Sequence, residues 1–352
     1  VYVSGAHLDP KFGNTVDEVE KSGVFIAAKV SAGIMGNSPV DTVEAMGRIT
    51  QGFAQVFRNQ APDILLVLGD RFEMHAAALA AIPFRIPLAH IHGGEITYGA
   101  IDEYFRHSLT KLSSLHFAAT EVYAKRIIQM GEEPWRVTVS GAPGIDSALA
   151  STLFSKEELE QKYGVDFSHP IILITFHPVT IKHERTKEYI TNLLSVLDDF
   201  KDCNIVFTYP NVDIGHEIII SETEAYARAH NNTRIVKNFG HQGYLSMMKY
   251  ALAMVGNSSS GIIEAASFNL PVVNIGTRQE GRVRGANVID VEYGPDEIIA
   301  GIKKAVSPTF RDGLADLVNP YGDGKASERI VSTLSTVALE KLAFKKFYDG
   351  AK

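Results

Sequence analysis

Short apolar runs recur along this chain, and each ends in a turn-forming segment followed by a stretch of helical periodicity. Strands covered by helices on both faces of a sheet appear in sequence as near-continuous apolar runs. The predicted strands are residues 1–4, 64–68, 88–91, 115–119, 137–139, 171–175, 205–208, 234–236, 251–255 and 272–275. Their alternation with helices predicts an α/β fold with parallel sheets.

The length of 352 residues predicts about two domains, at roughly 100–200 residues each. Residues 151–168 have the composition of a connector that contains one helix, and the βα pattern resumes after them. We therefore predict two Rossmann-like domains facing a cleft, one spanning residues 1–155 and the other residues 168–330. Residues 326–347 read as one long or broken helix, and we expect residues 331–352 to return to the first domain.

Composition limits the classes of partner. A net charge of −7 and a pI near 6.0 argue against a nucleic-acid-binding surface and leave room for a local basic pocket. The longest apolar run, residues 76–84, is far below the ~18 residues of a membrane span, so no membrane partner is expected. A single cysteine, Cys203, excludes an internal disulfide and fits a reducing, cytoplasmic location. Because the chain starts with Val1 inside a predicted strand, we expect further sequence upstream.

The segment 256–264, GNSSSGIIE, joins the predicted strand 251–255 to a helical pattern. Such a turn lets backbone N–H groups and serine hydroxyls converge on an anion. Glu264 would repel a phosphate, so its expected role is to accept hydrogen bonds from sugar hydroxyls. The alternative is an ordinary helix cap formed by Ser259 or Ser260. Arg278 and Gln279 follow the next strand with Arg282 and Arg284 close behind, and the three arginines place cations beside the same sheet edge.

Carboxylates and histidines follow the strands of the first predicted domain. Asp70 follows strand 64–68, and His92 and Glu95 follow strand 88–91. Asp102 and Arg106 lie on a helical segment shortly afterwards. Because ligands of open α/β sheets bind at the carboxyl ends of strands, these groups are candidates for an acid and a base in one site.

Each of these residues also has an ordinary structural interpretation. Asp70 could cap the following helix, and Glu103 could pair with Arg106 or His107 on a solvated helix face. His90, His92 and Glu95 could bind a metal, but no further ligand lies at metal-site spacing, and His90 inside an apolar strand reads as a core residue. We therefore predict no metal.

Two further turns contribute candidates from the second predicted domain. His177 follows strand 171–175 in the segment Phe-His-Pro, and Asn211 follows strand 205–208 in the segment Tyr-Pro-Asn. A histidine at a strand end, followed by a proline, is a candidate for hydrogen bonding to a phosphate or a substrate hydroxyl. An ordinary turn histidine is the alternative.

Several motifs together resemble one enzyme family. They are GDRFE at 69–73, HIHGGE at 90–95, IDEYFRHSLTKLS at 101–113, FHP at 176–178, GNSSSGIIE at 256–264 and GTRQEGRVRG at 276–285. In this order and spacing they resemble the hydrolysing UDP-N-acetylglucosamine 2-epimerases of sialic-acid-type biosynthesis, over nearly the whole chain. The resemblance implies the two-domain architecture of GT-B glycosyltransferases, with the nucleotide held mainly by the second domain.

The resemblance also implies roles for individual residues. Ser258, Ser259 and Glu264 would bind the nucleotide, while Arg278 and His177 would lie by the pyrophosphate or the sugar. The reaction centre would be lined by Asp70, Glu95, Asp102 and Arg106. The full predicted set is catalytic residues Asp70, Glu95, Asp102, Arg106 and His92, and substrate-binding residues His177, Asn211, Asn257, Ser258, Ser259, Ser260, Glu264, Arg278, Gln279 and Arg282.

The chain departs from the family pattern in two places. Relatives begin with a strand and an arginine-bearing turn that face the nucleotide, and this sequence starts after them. Some relatives have a glutamate, proposed to act as acid or base, where this chain has His92. This difference shifts the expected chemistry toward Asp70, Glu95 and Asp102.

The implied reaction converts UDP-N-acetylglucosamine and water to N-acetylmannosamine and UDP through a 2-acetamido-glycal, with no cofactor. The expected partner is a UDP-sugar, and the expected assembly is a homodimer or homotetramer. Four alternatives stay open. They are the same reaction on UDP-2,4-diacetamido-2,4,6-trideoxyglucose for legionaminic acid, a non-hydrolysing 2-epimerase, a retaining glycosyltransferase, and a non-catalytic nucleotide-sugar-binding regulator.

Overall fold

The computed structural model describes residues 1–9, 15–33, 38–98, 101–210 and 215–350, so the predicted site residue Asn211 lies outside the described residues. Chain contacts divide the protein into two compact units. The first unit contains Val1–Glu95, Ile101–Ser140 and Glu328–Lys352, and the second contains Ile96–Ala100 and Gly141–Ser327. The chain passes from the first to the second unit earlier than the predicted domain end at residue 155.

The first unit contains two parallel sheets. Strands β1 (Tyr2–Ser4) and β2 (Ala28–Val30) form a two-stranded sheet. A four-stranded sheet has the order β3-β4-β5-β6, from strands Leu65–Leu68, Leu88–Ile91, Leu115–Ala118 and Val137–Val139. The helices between these strands are α1 (Val16–Lys21), α2 (Pro39–Asn59), α3 (Phe72–Ala81), α4 (Asp102–Leu112) and α5 (Glu121–Gln129).

Helix α2 is the longest helix of the first unit, and its sequence explains both its start and its packing. Ser38 and Asp41 form a reciprocal capping box, which satisfies backbone donors at the first turn. Ile49, Phe53 and Phe57 recur at helical spacing and are buried in one cluster with residues of β3 and α3. This apolar face holds the helix against the sheet.

Strand β3 differs from the prediction of a strand buried on both faces. Leu65 and Val67 are buried, whereas Leu66 and Leu68 are 45% and 52% exposed. The exposed pair lines an apolar cavity of about 670 Å³, which the residues of β1 also line. The apolar sequence of β3 identified a strand correctly, but it did not reveal that one face borders a cavity.

The second unit is built on one parallel sheet with the order β12-β11-β10-β7-β8-β9. The strands are β7 (Ile171–Thr175), β8 (Asn204–Thr208), β9 (Thr233–Val236), β10 (Ala253–Gly256), β11 (Val272–Ile275) and β12 (Val288–Val291). The helices are α6 (Pro143–Ala150), α7 (Lys156–Tyr163), α8 (Thr186–Leu197), α9 (His216–Ala229), α10 (Gly240–Tyr250), α11 (Ser259–Ile263), α12 (Pro295–Val306) and α13 (Pro308–Asp312). The strand order reverses direction around β7, so the ends of β7 and β10 meet at a topological switch point.

The predicted α/β class and the predicted strands are confirmed by the structure. Strands β2 and β12 were not predicted, because Ala-Lys-Val is short and polar at its centre and Val-Ile-Asp-Val carries a charge. None of the helices in the described part of the chain has the length and apolar composition to cross a membrane.

The C-terminal segment corrects another prediction. Helix α14 (Ala326–Thr336) is followed by the short helix α15 (Leu339–Leu342), and residues 343–350 contain no helix, so the prediction of helix as far as residue 347 is wrong. The Lys345 ammonium instead reaches the fully buried Glu132 carboxylate (2.8 Å) and donates to the carbonyls of Lys111 and Ser113 (both 2.7 Å). A buried carboxylate needs such partners, and this long-range requirement outweighs local helical propensity.

Candidate active site

In the first unit, the turn after β3 is held by a buried histidine on the neighbouring strand. His90 of β4 is fully buried, and its Nε2 lies 2.7 Å from the carbonyl oxygen of Gly69. Its Nδ1 lies 3.2 Å from the hydroxyl of Thr110 on α4. Burial lowers the pKa of His90 to about 3, so the ring is neutral and can donate at one nitrogen while it accepts at the other. His90 therefore positions Gly69 and Asp70, and its prediction as a core residue is confirmed.

Asp70 and Arg106 form an ion pair between the end of β3 and helix α4. Arg106 is buried, so its fixed charge is held in place beside the carboxylate. Asp102 begins the same helix, and its pKa is raised by burial and by the nearby Asp70 charge. Two carboxyl groups in unequal environments are the arrangement from which an acid and a base are drawn.

The turn after β4 brings His92 and Glu95 together. The Nδ1 of His92 lies 2.6 Å from the Oε1 of Glu95, and Glu95 is buried. His92 has a φ of 66°, a left-handed conformation that is rare outside glycine and that marks a strained turn. Gly94 also has positive φ, and a Cβ there would collide with the carbonyl of Tyr123, so this position requires glycine.

The other side chains predicted on this edge have specific partners. The Nε2 of His107 lies 2.9 Å from Glu103 one turn away, so the predicted pairing of Glu103 with His107 is present. Within the described residues, no group of three His, Cys, Asp or Glu side chains is arranged to hold a metal ion.

In the second unit, Asn257 is the organising residue of the turn after β10. Its side chain is fully buried, its Oδ1 accepts from the backbone N–H of His177 (2.7 Å), and its Nδ2 donates to the His177 carbonyl (2.9 Å). Gly256 precedes it with a φ of 143°, and a Cβ there would collide with the Thr175 carbonyl. The ends of β7 and β10 are thus joined closely by the side chain of one residue.

Two side chains of the segment after β11 also donate hydrogen bonds to this turn. The backbone carbonyl of Asn257 accepts from Arg278 Nη1 (3.1 Å) and from Gln279 Nε2 (2.9 Å). His177 is only 6% exposed, and its pKa is lowered to about 3 by burial and by the charge of Arg278. Because His177 is neutral and Arg278 is cationic, the two side chains offer hydrogen-bond donors at this sheet edge with only one positive charge between them.

The loop that carries Arg282 is braced by its neighbour Arg284. Arg284 donates to the carbonyls of Gln279 (2.7 Å) and Arg282 (2.9 Å) and pairs with Asp290 (3.1 Å). The position of Arg282 is therefore set by an arginine that was not among the predicted site residues.

The helix cap in this turn is formed by a serine other than the two considered as the alternative interpretation. Ser258 is the N-cap of α11 and accepts from the N–H of Ser260, so a cap by Ser259 or Ser260 is wrong. The helix is five residues long, Glu264 is its C-cap, and a 3-10 helix (Ala265–Phe268) follows. Because α11 is so short, a helix dipole adds little here, and the local hydroxyl and N–H groups are the donors that this turn can offer to an anion.

Three polar residues against this turn were missed by the sequence reasoning. They are Thr175 and Thr208, at the ends of β7 and β8, and Tyr244 on α10, whose hydroxyl lies 2.9 Å from both Thr175 and Ser260. The two threonines could have been found from the sequence, because each is the last residue of an apolar strand. Nothing in the sequence indicated which face of α10 carries Tyr244.

The predicted residues thus fall into two groups. The acid–base group, Asp70, His92, Glu95, Asp102 and Arg106, lies in the first unit. The predicted substrate-binding residues His177, Asn257, Ser258, Ser259, Ser260, Glu264, Arg278, Gln279 and Arg282 lie in the second. One group can transfer protons, and the other can hold an anion or hydroxyl groups.

Comparison with known proteins gives consistent results. The sequence profile of a family described as UDP-N-acetylglucosamine 2-epimerase matches residues 1–335. A UDP-N,N'-diacetylbacillosamine 2-epimerase (hydrolyzing) from Legionella pneumophila is 38% identical, over 98% of this chain and 90% of that protein. The polysialic acid biosynthesis protein P7 from Escherichia coli is 37% identical, over 99% and 89%. The crystal structure of the UDP-GlcNAc 2-epimerase from Neisseria meningitidis has the same fold, with a TM-score of 0.77, 21% identity, and coverage of 96% of this chain and 99% of that one.

Proposed function

The chain belongs to the UDP-N-acetylglucosamine 2-epimerase family, and from this premise we propose that it is a hydrolysing 2-epimerase of a UDP-linked 2-acetamido sugar. The observation that carries the proposal is the full-length similarity to the Legionella pneumophila enzyme, whose name specifies the hydrolysing reaction. The half-buried Asp70 and Asp102, which lie in unequal environments in the first unit, support it, because the reaction needs both a base and an acid.

The proposed reaction has two steps. A carboxylate removes the proton from C2 as the bond from C1 to the UDP oxygen breaks, which leaves a 2-acetamido-glycal and UDP. Water then adds its hydroxyl to C1, and a proton returns to C2 on the opposite face, which gives the free manno-configured sugar. We assign the base to Asp70, ion-paired with Arg106, and proton return to Asp102, whose raised pKa favours the protonated form.

His92 and Glu95 form a second hydrogen-bonded pair that we place at the same reaction centre. Their proposed role is to hold the sugar and to relay a proton to or from water. The φ of 66° at His92 fits a turn shaped by function rather than by local preference.

The proposed role of the second unit is to bind the UDP part of the substrate, which anchors the sugar and then departs as the leaving group. Ser258 and Ser259 with Arg278 would bind the diphosphate, since fixed donors and a guanidinium stabilise the charge that develops there. Ser260 would support them through its hydroxyl, which lies 2.8 Å from Ser258 Oγ. Glu264 would accept from the ribose hydroxyls. His177, Gln279 and Arg282 would complete the contacts, and Asn257 would hold His177 in place.

Two substrates are each favoured by a specific observation. The name of the Legionella pneumophila relative points to UDP-N,N'-diacetylbacillosamine, which is UDP-2,4-diacetamido-2,4,6-trideoxyglucose. The description of the family points to UDP-N-acetylglucosamine. The two sugars differ at C4 and C6, so groups around those positions would decide between them.

One experiment tests both the reaction and the substrate. The protein is incubated in D₂O with each UDP-sugar, and products are followed by NMR. Deuterium at C2 of a free manno-configured sugar, together with released UDP, is the expected result. Deuterium in a product still linked to UDP would instead indicate the non-hydrolysing reaction, and no UDP release from either sugar would overturn the proposal.

A further inference from the structure

A continuous row of side-chain hydroxyls runs through the second unit to Ser258. Thr208 Oγ1 donates to Thr175 Oγ1 (3.0 Å), and Thr175 Oγ1 lies 2.9 Å from the hydroxyl of Tyr244. The Tyr244 hydroxyl lies 2.9 Å from Ser260 Oγ, which lies 2.8 Å from Ser258 Oγ. We call these five side chains the hydroxyl chain.

One direction of hydrogen bonding satisfies every contact of the hydroxyl chain. Each hydroxyl has one hydrogen to donate and lone pairs to accept. In this direction Thr208 donates to Thr175, Thr175 to Tyr244, Tyr244 to Ser260 and Ser260 to Ser258. Ser258 Oγ then accepts from the hydroxyl of Ser260 and from its N–H (3.4 Å), and the hydrogen of Ser258 can be donated outside the chain.

We propose that Tyr244 is a positioning residue that acts through Ser260 to aim the Ser258 hydroxyl at a phosphate oxygen of the UDP-sugar. The inference rests on the proposed function and adds to it a residue whose side chain supports the binding serines from behind. Hydrogen bonds in a row polarise one another, so an anion that accepts from Ser258 strengthens every bond behind it. Burial raises the pKa of Tyr244, which keeps its proton available for donation.

The test is a double-mutant cycle on UDP affinity, measured by isothermal titration calorimetry. The variants are Tyr244→Phe, Ser258→Ala and the double variant. Tyr226→Phe is the matched control, since its hydroxyl lies in the same unit, donates to Asp198 (3.0 Å) and is not one of the five side chains of the hydroxyl chain. Thermal unfolding of every variant is recorded in parallel.

Tyr244→Phe is expected to weaken UDP binding by roughly 3- to 10-fold, the effect of losing one hydrogen bond. Tyr226→Phe should bind UDP as the wild-type protein does. The double variant should bind no more weakly than Ser258→Ala alone, because Tyr244 acts only through that hydroxyl. A merely structural role would lower the unfolding temperature without this non-additivity.

Each outcome separates the inference from the proposed function. If wild type and Tyr226→Phe bind UDP and Tyr244→Phe binds it equally well, the inference fails and the proposed function stands. Additive losses in the double variant would also overturn the inference. If the wild-type protein neither binds UDP nor releases it from either sugar, the proposed function itself fails.

Discussion

Asn257 brackets the backbone of His177, accepting from its N–H at 2.7 Å and donating to its carbonyl at 2.9 Å. The two residues lie far apart in sequence and close the ends of two adjacent strands, β7 and β10. An asparagine side chain has one acceptor and donors on the same planar group. It can therefore replace the strand-to-strand backbone hydrogen bonds, which stop where β7 and β10 end. The buried edge of the proposed UDP site depends on this one side chain.

Asn257→Ala is expected to lower the free energy of unfolding by about 2–4 kcal/mol, because two hydrogen bonds are lost and two buried backbone groups are left unpaired. UDP affinity should fall as well, since His177 and the turn lose their fixed position. Urea unfolding and calorimetry measure the two effects. The control is Asn232→Ala, which removes one bond to the Cys203 carbonyl (2.8 Å) and should cost about 1 kcal/mol. Equal losses in the two variants would contradict the bracketing role.

Asp70→Asn is expected to leave UDP binding within about twofold and to lower the rate of UDP release by roughly 10²–10⁴-fold, the contribution of general acid–base catalysis. The amide keeps the shape of the side chain but cannot accept the C2 proton. Asp63→Asn, at an exposed position of the same unit, is the control for a lost surface charge. Turnover that equals the wild-type rate would remove Asp70 from the mechanism.

Asp102→Asn should change how stability depends on pH. The folded pKa of Asp102 is raised above its ordinary value of 3.8, so the folded state binds the proton more tightly than the unfolded chain does. The stabilising contribution is therefore present at and below about pH 4 and is lost as pH rises through the raised pKa. We expect the unfolding temperature of Asp102→Asn, relative to wild type, to increase between about pH 4 and pH 8. A difference that is independent of pH would show that burial does not perturb this carboxyl.

His90→Gln should reduce the loss of stability in acid. The folded pKa of His90 is about 3, against 6.5 for an ordinary histidine, so between these values the unfolded chain binds a proton that the folded state excludes. Stability from this neutral histidine is complete above about pH 6.5 and falls as pH drops toward 3, by at most ~1.4 kcal/mol per pH unit. Denaturant unfolding from pH 7 to pH 4 measures the slope. His169→Gln, at an exposed position, should leave the slope unchanged, and a slope in His90→Gln equal to that of wild type would refute the assignment.

Most strands and most site candidates were predictable from the sequence because the signals are local. A short, isoleucine-rich apolar run such as residues 171–175, bounded by turn signals, indicates a buried strand, and polar residues directly after such runs fall at the carboxyl edge of a parallel sheet. That reasoning was enough to select His177, Asn257 and Asp70. The strands β2 and β12 were missed because their pairing, rather than their composition, makes them strands.

By itself, the sequence determined the α/β class, the order of strands and helices apart from β2 and β12, and which residue types stand at the strand ends. Only the tertiary structure decided that Arg106 pairs with Asp70, that Asn257 turns inward onto His177, and that Tyr244 reaches Ser260. It also decided that the segment around Lys345 is not helical and that the Lys345 ammonium pairs with the buried Glu132 carboxylate. Periodicity and turn chemistry act between neighbours along the chain, whereas partners for buried charges and polar groups come from distant segments that only the folded sheet brings together.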